Sequence, residues 1–408
     1  MLGSLSSFTK LISLGLAVAL LLIMLSPLSV SASAPSLSAQ AALLLDADSG
    51  KVLHERNAHT RLPMASTTKI MTALVVVEHL DPAAMVCIDA RAVGIEGSSI
   101  YLYEGEWLSV EQLLLGLLLE SANDAAVALA FAVCDDVEAF AELMNQKAAA
   151  LGLKDTHFQN PHGLDHEQHY TTAYELGLIA SAALSHPVLR RIMSTRRATI
   201  PLCDMNAPDA AQDASSKGTP EAIPVGQRVL LNHNKMLRYY DGAIGVKTGF
   251  TKRSGRCLVS AASRDGLTLI AVTLNAPDDW NDHTQLLDYG FSKYERVTLC
   301  QAGEFQALLP ISGGVEEYVM VTNLQGASIT LPRNHATPEC RIELPHLTFA
   351  PVADASRHGQ LVFLCDTDGD GLKEEIATLP LHAKYGVAAL APPNIFERIL
   401  TFLRRIFS

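Results

Sequence analysis

A serine and a lysine three residues apart, Ser66 and Lys69, open a run that turns almost wholly apolar over Ile70, Met71, Ala73, Leu74, Val75, Val76 and Val77. In a helix, positions i and i+3 share a face, so the Ser66 hydroxyl and the Lys69 amine can meet. A helix apolar on all sides belongs in a core, where a lysine loses solvation, its pKa falls, and it becomes a base for a neighbouring hydroxyl. This route to a nucleophilic serine needs no histidine. By itself the pair reads equally well as an N-cap followed by a first-turn surface lysine. Ser7 and Lys10 repeat the spacing near the start of the chain.

Two further groups change the weighting. Ser121-Ala122-Asn123 falls between two expected helices, where a tight connection can point a hydroxyl and an amide into a cleft. Lys247-Thr248-Gly249 falls at the expected start of a strand, where Thr and Gly leave an edge open to an extended peptide. Each pattern occurs once in the chain. Singly, each is more often a capped loop or an exposed strand end. In this order, on helix, loop and strand, the three together form a specific signature for acyl transfer through serine.

The elements that must position them can be read in order. Ala41 to Glu55 alternates like two strands around the turn composition Asp46-Ala47-Asp48-Ser49-Gly50-Lys51. The Ser66 helix follows and ends near Asp81-Pro82. Helices dominate from about 85 to 195: Ser109-Val110-Glu111-Gln112 is a capping box, Asn123 or Asp124 can cap a helix to Val133, another helix spans Asp136 to Leu151, and Thr172-Ala173-Tyr174-Glu175 opens the next. Cys203 to Gln227 has no periodicity and reads as a long loop. Strands return at Val229–Leu231, Cys257–Ala262 and Leu267–Leu274, before a helix from about Asp279 to Tyr289. Strands at both ends with a helical block between them predict an α/β domain carrying an all-helical lobe. From about 296 to 388 short alternating strands predict a small all-β sandwich.

Composition narrows the partners. A chain of 408 residues has room for two or three domains, and 49% hydrophobic residues allow sizeable cores. A formal charge of −12 without a basic run argues against nucleic acid. Residues 1–32 read as a secretory signal peptide, with Lys10, an apolar core from Leu11 to Leu25, and Val30-Ser31-Ala32 before the cut. The seven cysteines lack C-x-x-C spacing, which excludes a zinc ribbon, and most fall at core positions of strands or helices, as buried thiols.

The three groups, with Glu96-Gly97-Ser98-Ser99, Gly116 to Ala126, Leu151-Gly152-Leu153 and His169-Tyr170-Thr171-Thr172-Ala173, make the sequence resemble the serine D-alanyl-D-alanine carboxypeptidases, the low-molecular-mass penicillin-binding proteins. The likeness covers roughly residues 36–408. Ala122 stands where that family often has Gly, and Phe250 where some members have His. The resemblance implies a β-lactamase/transpeptidase-like catalytic domain over 36–295, a β-sandwich domain over 296–390, and a membrane-anchoring amphipathic helix over 394–408. It further implies Ser66 as nucleophile, Lys69 as base and Ser121 as proton relay. Asn123, Lys247, Thr248, Gly249 and Phe250 would bind substrate, the last through its backbone N–H. The implied substrates are peptidoglycan stem peptides, with β-lactams as inhibitors, no cofactor, and a place on the outer face of the cytoplasmic membrane.

Three rival functions follow from the same residues. A class A-like β-lactamase needs Glu-x-x-Leu-Asn between the second and third groups, and that pentapeptide is absent. A D,D-endopeptidase would use the same nucleophile on cross-links, and a non-enzymatic wall-peptide binder would not need all four of Ser66, Lys69, Ser121 and Lys247. Asp366-Thr367-Asp368-Gly369-Asp370-Gly371 resembles half a calcium loop, but position 12 would be Ala377, so it reads as a hairpin turn and not a metal site. His157, His162, His166 and His169 lie in a Pro- and Gly-broken stretch and read as loop residues rather than metal ligands. On a helix, Ile395, Phe396, Ile399, Leu400, Phe402, Leu403, Ile406 and Phe407 share one side of the final stretch.

Overall fold

The computed structural model describes residues 34–204 and 223–391, together with Ile395, Ile399 and residues 402–404. The expected signal peptide and most of the expected terminal helix lie outside the described residues.

The fold begins from a strand buried on both faces. In β1 (Ala41–Asp46) every residue is inside. Successive side chains point to opposite faces of a sheet. Accordingly Ala41, Leu43 and Leu45 join a large core on one side, while Ala42 and Leu44 join a second core on the other. A strand of this kind must lie in the middle of a three-layer arrangement. Its partners are β2 (Val52–Arg56), reached through the predicted turn, and β9 (Leu267–Leu274). The sheet is completed by β7 (Ala243–Thr251) and β8 (Gly255–Arg264), in the antiparallel order β2-β1-β9-β8-β7. The strands that precede and follow the helical block therefore meet in one sheet, with β7 at an edge.

The helices sort onto the two faces by their apolar stripes. On the larger core pack α1 (Lys69–His79), α2 (Val110–Leu119), α3 (Asn123–Val133), α4 (Val137–Ala150), α5 (Ala173–Ser185) and α6 (Pro187–Ser194). The short α7 (Met236–Tyr239) and α8 (Asp279–Lys293) cover the opposite face. Their starts are where the capping residues put them. Ser109 and Gln112 form both halves of a capping box, Asp136 accepts from the Ala139 N–H, and Thr172 accepts from the Glu175 N–H.

Short strands β3 (Met85–Cys87) and β4 (Trp107–Ser109) pair beside this helical block. In the stretch read from sequence as a loop, the structure differs. Its two flanks are strands, β5 (Arg197–Asp204) and β6 (Ile223–Leu231), paired antiparallel from Arg197↔Leu231 to Asp204↔Ile223, and residues 205–222 lie outside the described residues. Pairing to one another supplies the order that neither flank signals by its own alternation.

From the end of α8 to residue 391 the regular elements are all strands. The strand β10 (Tyr294–Cys300) pairs with β13 (Ala327–Pro332). A six-stranded sheet holds β11 (Gln306–Ser312), β12 (Tyr318–Thr322), β14 (Glu339–Glu343), β15 (Thr348–Phe349), β16 (Arg357–Cys365) and β17 (Glu374–Ala383) in the order β14-β16-β17-β12-β11-β15. Leu309, Val319, Val321, Leu361, Phe363 and Leu381 are buried in its own core. The 366–371 segment is the turn between β16 and β17, with the Asp366 carboxylate accepting from the N–H groups of Gly369 and Gly371. This β region is tied to the α/β region through buried Asp46, which accepts from Thr330 Oγ1 at 2.9 Å and lies 3.6 Å from Arg296 Nη1.

The cysteines depart from expectation in one respect. Cys257, Cys300 and Cys365 are buried and Cys134 and Cys340 half-buried, but Cys87 is exposed, at the end of the short strand β3 whose middle residue Val86 alone turns to the core. Cys87, Cys134, Cys257, Cys300, Cys340 and Cys365 are free thiols.

Candidate active site

The serine and lysine of the first group meet as their spacing requires. Ser66 sits in a 3₁₀ turn, Ala65–Thr68, that runs directly into α1. Its side chain caps neither helix. Lys69, fully buried, places Nζ 3.0 Å from Ser66 Oγ, so the plain N-cap reading of the pair is excluded. The amine also donates to Asn123 Oδ1 at 2.7 Å and to the His162 carbonyl at 2.6 Å. Two carbonyl acceptors take two N–H bonds. In the neutral amine that accounts for both hydrogens and leaves the lone pair for the Ser66 hydroxyl proton.

Burial pushes the Lys69 amine well below the usual lysine range; the nearby Lys247 charge adds to this, and Asp124 opposes it. Lys247 is itself buried and lowered to about 7, again by burial, against the attraction of Glu120. This corrects the sequence reading. Lys247-Thr248-Gly249 lies in the middle of β7, not at its start, and Lys247 is no exposed strand end. The reading of β7 as an edge holds, since among the described strands only β8 pairs with it. The mid-strand position follows from β8, whose register carries the pairing on to Phe250↔Arg256 and Thr251↔Gly255.

Gly249 shows how close the third group comes to the first. A Cβ at this position would lie 3.0 Å from Ser66 N, 3.1 Å from the Met64 carbonyl oxygen and 3.1 Å from Thr67 N. The strand can approach the nucleophile's turn only because no side chain intervenes. Phe250, next along, has its side chain 65% exposed.

The second group closes the site from the helical side. Ser121 is buried in the connection between α2 and α3, with φ +62°, an uncommon conformation for serine. Among the described residues, no direct hydrogen bond joins Ser121 or Lys247 to Ser66 or Lys69. Asn123 was expected as a possible helix cap, but the residue before α3 is Ala122, with no side-chain cap. The Asn123 amide is spanned instead between Lys69 Nζ and the Glu96 carbonyl, to which its Nδ2 donates at 2.6 Å. Ser66, Ser98, Asn123, His162, Phe250 and Thr251 are among the residues lining a cavity of about 130 Å³.

Sequence reasoning missed the residues that hold these groups in place. Asp124 is fully buried, and its carboxylate accepts from Ser99 Oγ and from the N–H groups of Ile100, Leu102 and Ala125, shaping the loop that forms one wall. In the sequence, beside Asn123 at an expected helix start, it reads only as a cap. The His162 contribution is a backbone carbonyl, which leaves no trace in residue type. The histidines of 157–169 are loop residues, as expected: His157 bonds the Gln168 carbonyl, and His162 and His166 accept backbone N–H groups through Nδ1.

In fold, this is the architecture of the penicillin-binding serine peptidases. Penicillin binding protein 5 from Haemophilus influenzae aligns with a TM-score of 0.70 and 27% identity, over 87% of this chain and 99% of that one. The Streptomyces K15 DD-transpeptidase aligns with a TM-score of 0.57 and 32% identity, over 64% of this chain and 99% of that one. The D-alanyl-D-alanine carboxypeptidase DacF of Bacillus subtilis (strain 168) is 31% identical over 377 residues, 90% of this chain and 88% of the relative. The D-alanyl-D-alanine carboxypeptidase family profile matches residues 28–278. The chain belongs to the D-alanyl-D-alanine carboxypeptidase family and is a serine-type hydrolase with that activity.

Two predictions follow from this geometry. Gly249→Ala is expected to slow penicillin acylation by about 10- to 100-fold, because the new methyl meets backbone atoms that cannot rotate away and displaces the nucleophile's turn by tenths of an ångström. Its melting temperature should change little. Timed intact-mass spectra with penicillin check this, and a wild-type rate contradicts it. The second concerns acid. Burial lowers His162, His169 and His283 from 6.5 to about 3. Between those values the unfolded chain binds the protons that the folded chain refuses, so stability falls as pH drops from about 6.5 toward 3. Urea midpoints at stepped pH should show that loss, and His283→Gln, remote from Ser66, should flatten the slope.

Proposed function

We propose that Ser66 attacks the carbonyl between the two terminal D-alanines of a peptidoglycan stem peptide and that Lys69 takes its proton. The observation that carries this reading is the buried amine 3.0 Å from Ser66 Oγ, with its two other contacts both carbonyls. In that setting the amine is neutral and its lone pair faces the hydroxyl, so attack forms the C–O bond as the proton moves to Nζ. The N–H groups of Ser66 and Phe250 stabilise the oxyanion. Ser66 is a first-turn residue whose N–H has no intrahelical partner, and Gly249 brings the Phe250 strand against it.

Collapse of the tetrahedral intermediate expels D-alanine, whose nitrogen receives the proton through Ser121, leaving Ser66 esterified. Lys247 keeps the amine of Lys69 neutral by its charge and, with Thr248, receives the substrate carboxylate. Asn123 fixes Lys69 and has a second Nδ2 hydrogen to offer the substrate amide. Water then cleaves the ester with Lys69 again as base, and the stem peptide leaves one residue shorter. β-Lactams, whose strained amide mimics the scissile bond, acylate the same hydroxyl.

The same reading places the enzyme in the cell envelope, with residues 1–32 as its export signal, 36–295 as the catalytic domain, 85–195 as the helical lobe and 296–390 as a β-sandwich pedestal. Residues 394–408 are the anchor. Ile395, Ile399, Phe402 and Leu403 are exposed, and no described helix is long and apolar enough to cross a membrane. Wound as a helix, fifteen residues would reach about 22 Å, short of a hydrocarbon core of about 30 Å, so the anchor proposed here would lie in the interface.

Ser66→Ala is expected to lose both D-alanine release and the penicilloyl adduct while keeping its melting temperature. An adduct mapped to Ser121, or retained release, contradicts the assignment. Deleting 394–408 is expected to abolish sedimentation with anionic liposomes and to leave D-alanine release from a soluble peptide within about twofold of the full chain. Unchanged sedimentation rules out the anchor.

A further inference from the structure

The backbone just before the nucleophile is held by a hydrogen-bond chain that the chemistry above does not use. Ala65 has φ +49°, a region that costs an alanine strain, and its peptide bond to Ser66 is trans. Its carbonyl oxygen accepts from Thr68 Oγ1 at 2.8 Å. Thr68 Oγ1 lies 2.7 Å from His169 Nε2, and His169 Nδ1 accepts from the Gln159 N–H at 3.0 Å. Gly163 presses on the same carbonyl, where a Cβ would come within 2.0 Å of the oxygen. Thr68 and His169 are both buried.

The direction of this chain is fixed by proton counting. A nitrogen that accepts from a backbone N–H carries no hydrogen, so the neutral His169 ring bears its proton on Nε2. That N–H donates to Thr68 Oγ1, which leaves the threonine's own proton for the Ala65 carbonyl. Across a planar trans peptide, C=O and N–H point in opposite directions. A grip on the Ala65 carbonyl therefore aims the Ser66 N–H.

We propose that Thr68 and His169 are positioning residues that orient the Ser66 N–H as an oxyanion donor, so that they act on the transition state and not on substrate affinity. The burial that keeps His169 neutral agrees with this, since a ring protonated on both nitrogens would set Nδ1–H against the Gln159 N–H. The inference rests on the reading of Ser66 as nucleophile and oxyanion donor, and the two fail separately. If Ser66→Ala still acylates, that reading is wrong; if Ser66→Ala is dead while the variants below behave as wild type, only the positioning role is wrong.

The test uses the full chain and two matched pairs. Thr68→Val keeps the shape and removes the hydroxyl, and Thr68→Ser restores it. His169→Gln keeps a donor near the Nε2 position, whereas His169→Asn keeps only the acceptor for Gln159. Thr68→Val and His169→Asn are expected to lower kcat and the penicillin acylation rate by about 10- to 100-fold, with KM within about threefold. Affinity for a peptide boronic acid, whose tetrahedral adduct places an oxygen in the hole, should fall in parallel. Thr68→Ser and His169→Gln should stay within about fivefold of wild type. If Thr68→Val does not fold, the histidine pair carries the test alone. Equal impairment within a pair, a loss confined to KM, or boronate affinity unchanged while kcat falls overturns the proposal.

Discussion

An amine buried without a carboxylate against it is the constraint from which the rest of this site follows. A charged lysine in a core is costly unless it is paired, and the free energy is lowered by shedding the proton instead. Lys69 touches a hydroxyl, an amide oxygen and a peptide carbonyl, and among the described residues no acid hydrogen-bonds to it. Asp124, the buried acid whose field reaches it, spends its carboxylate on four other donors. A second buried lysine nearby raises the cost of protonation further. These features push the amine in one direction, toward the base that a serine nucleophile needs. A single carboxylate in place of Asn123 would reverse them.

That constraint explains the fold around it. To bury Lys69, α1 must be apolar on every side, so it has to lie inside the helical block and against the sheet. To present Ser66 at the same time, the helix has to begin at the edge of that core, which is why the nucleophile occupies a 3₁₀ turn rather than a helix interior. The loop 157–170 then lies over the helix start, supplying the His162 carbonyl to Lys69, the Pro161 carbonyl to Thr72 Oγ1 at 2.6 Å, and the Gly163 surface against Ala65. Loops carry function when a rigid scaffold positions them. Here the loop gives its backbone to the site and its histidines to its own shape, except His169, whose Nε2 meets Thr68 Oγ1.

Side-chain patterns were legible in the sequence to the extent that their signals are local. The capping box at Ser109 and the N-cap at Thr172 start helices where they stand, because the signal and the structure involve the same few neighbouring residues, although Glu175 turns its carboxylate to the Lys154 and Asp155 N–H groups instead of back to Thr172. The approach of Ser66 to Lys69 was legible for the same reason. What depends on a distant partner was not. Nothing in Lys247 or its neighbours says that β8 continues the pairing past it and seals it inside; the composition of Thr and Gly suggests an exposed end. The flanks of 205–222 look like loop because their order comes from pairing with each other. Asn123 next to Asp124 looks like a cap, and only the position of Lys69, fifty-four residues earlier, turns its amide elsewhere.

The edge position of β7 joins these two lines of argument. An edge strand carries unpaired backbone groups, and natural proteins usually blunt such an edge to avoid unwanted pairing. β7 is paired on one side through Thr251, with a register shift near its start between Ala243 and Gly245; its other side is open, and at Gly249 its face packs on the nucleophile's turn. An extended peptide laid along that side would meet backbone N–H and C=O groups at strand spacing, with its end delivered to Ser66. Such an edge is safe only if it is recessed. The helical block and the 157–170 loop provide that recess, leaving a cavity of about 130 Å³ rather than an open face. Burying Lys69 and protecting the β7 edge are therefore met by the same elements, and a change that loosened the helical block would expose the strand and resolvate the amine together.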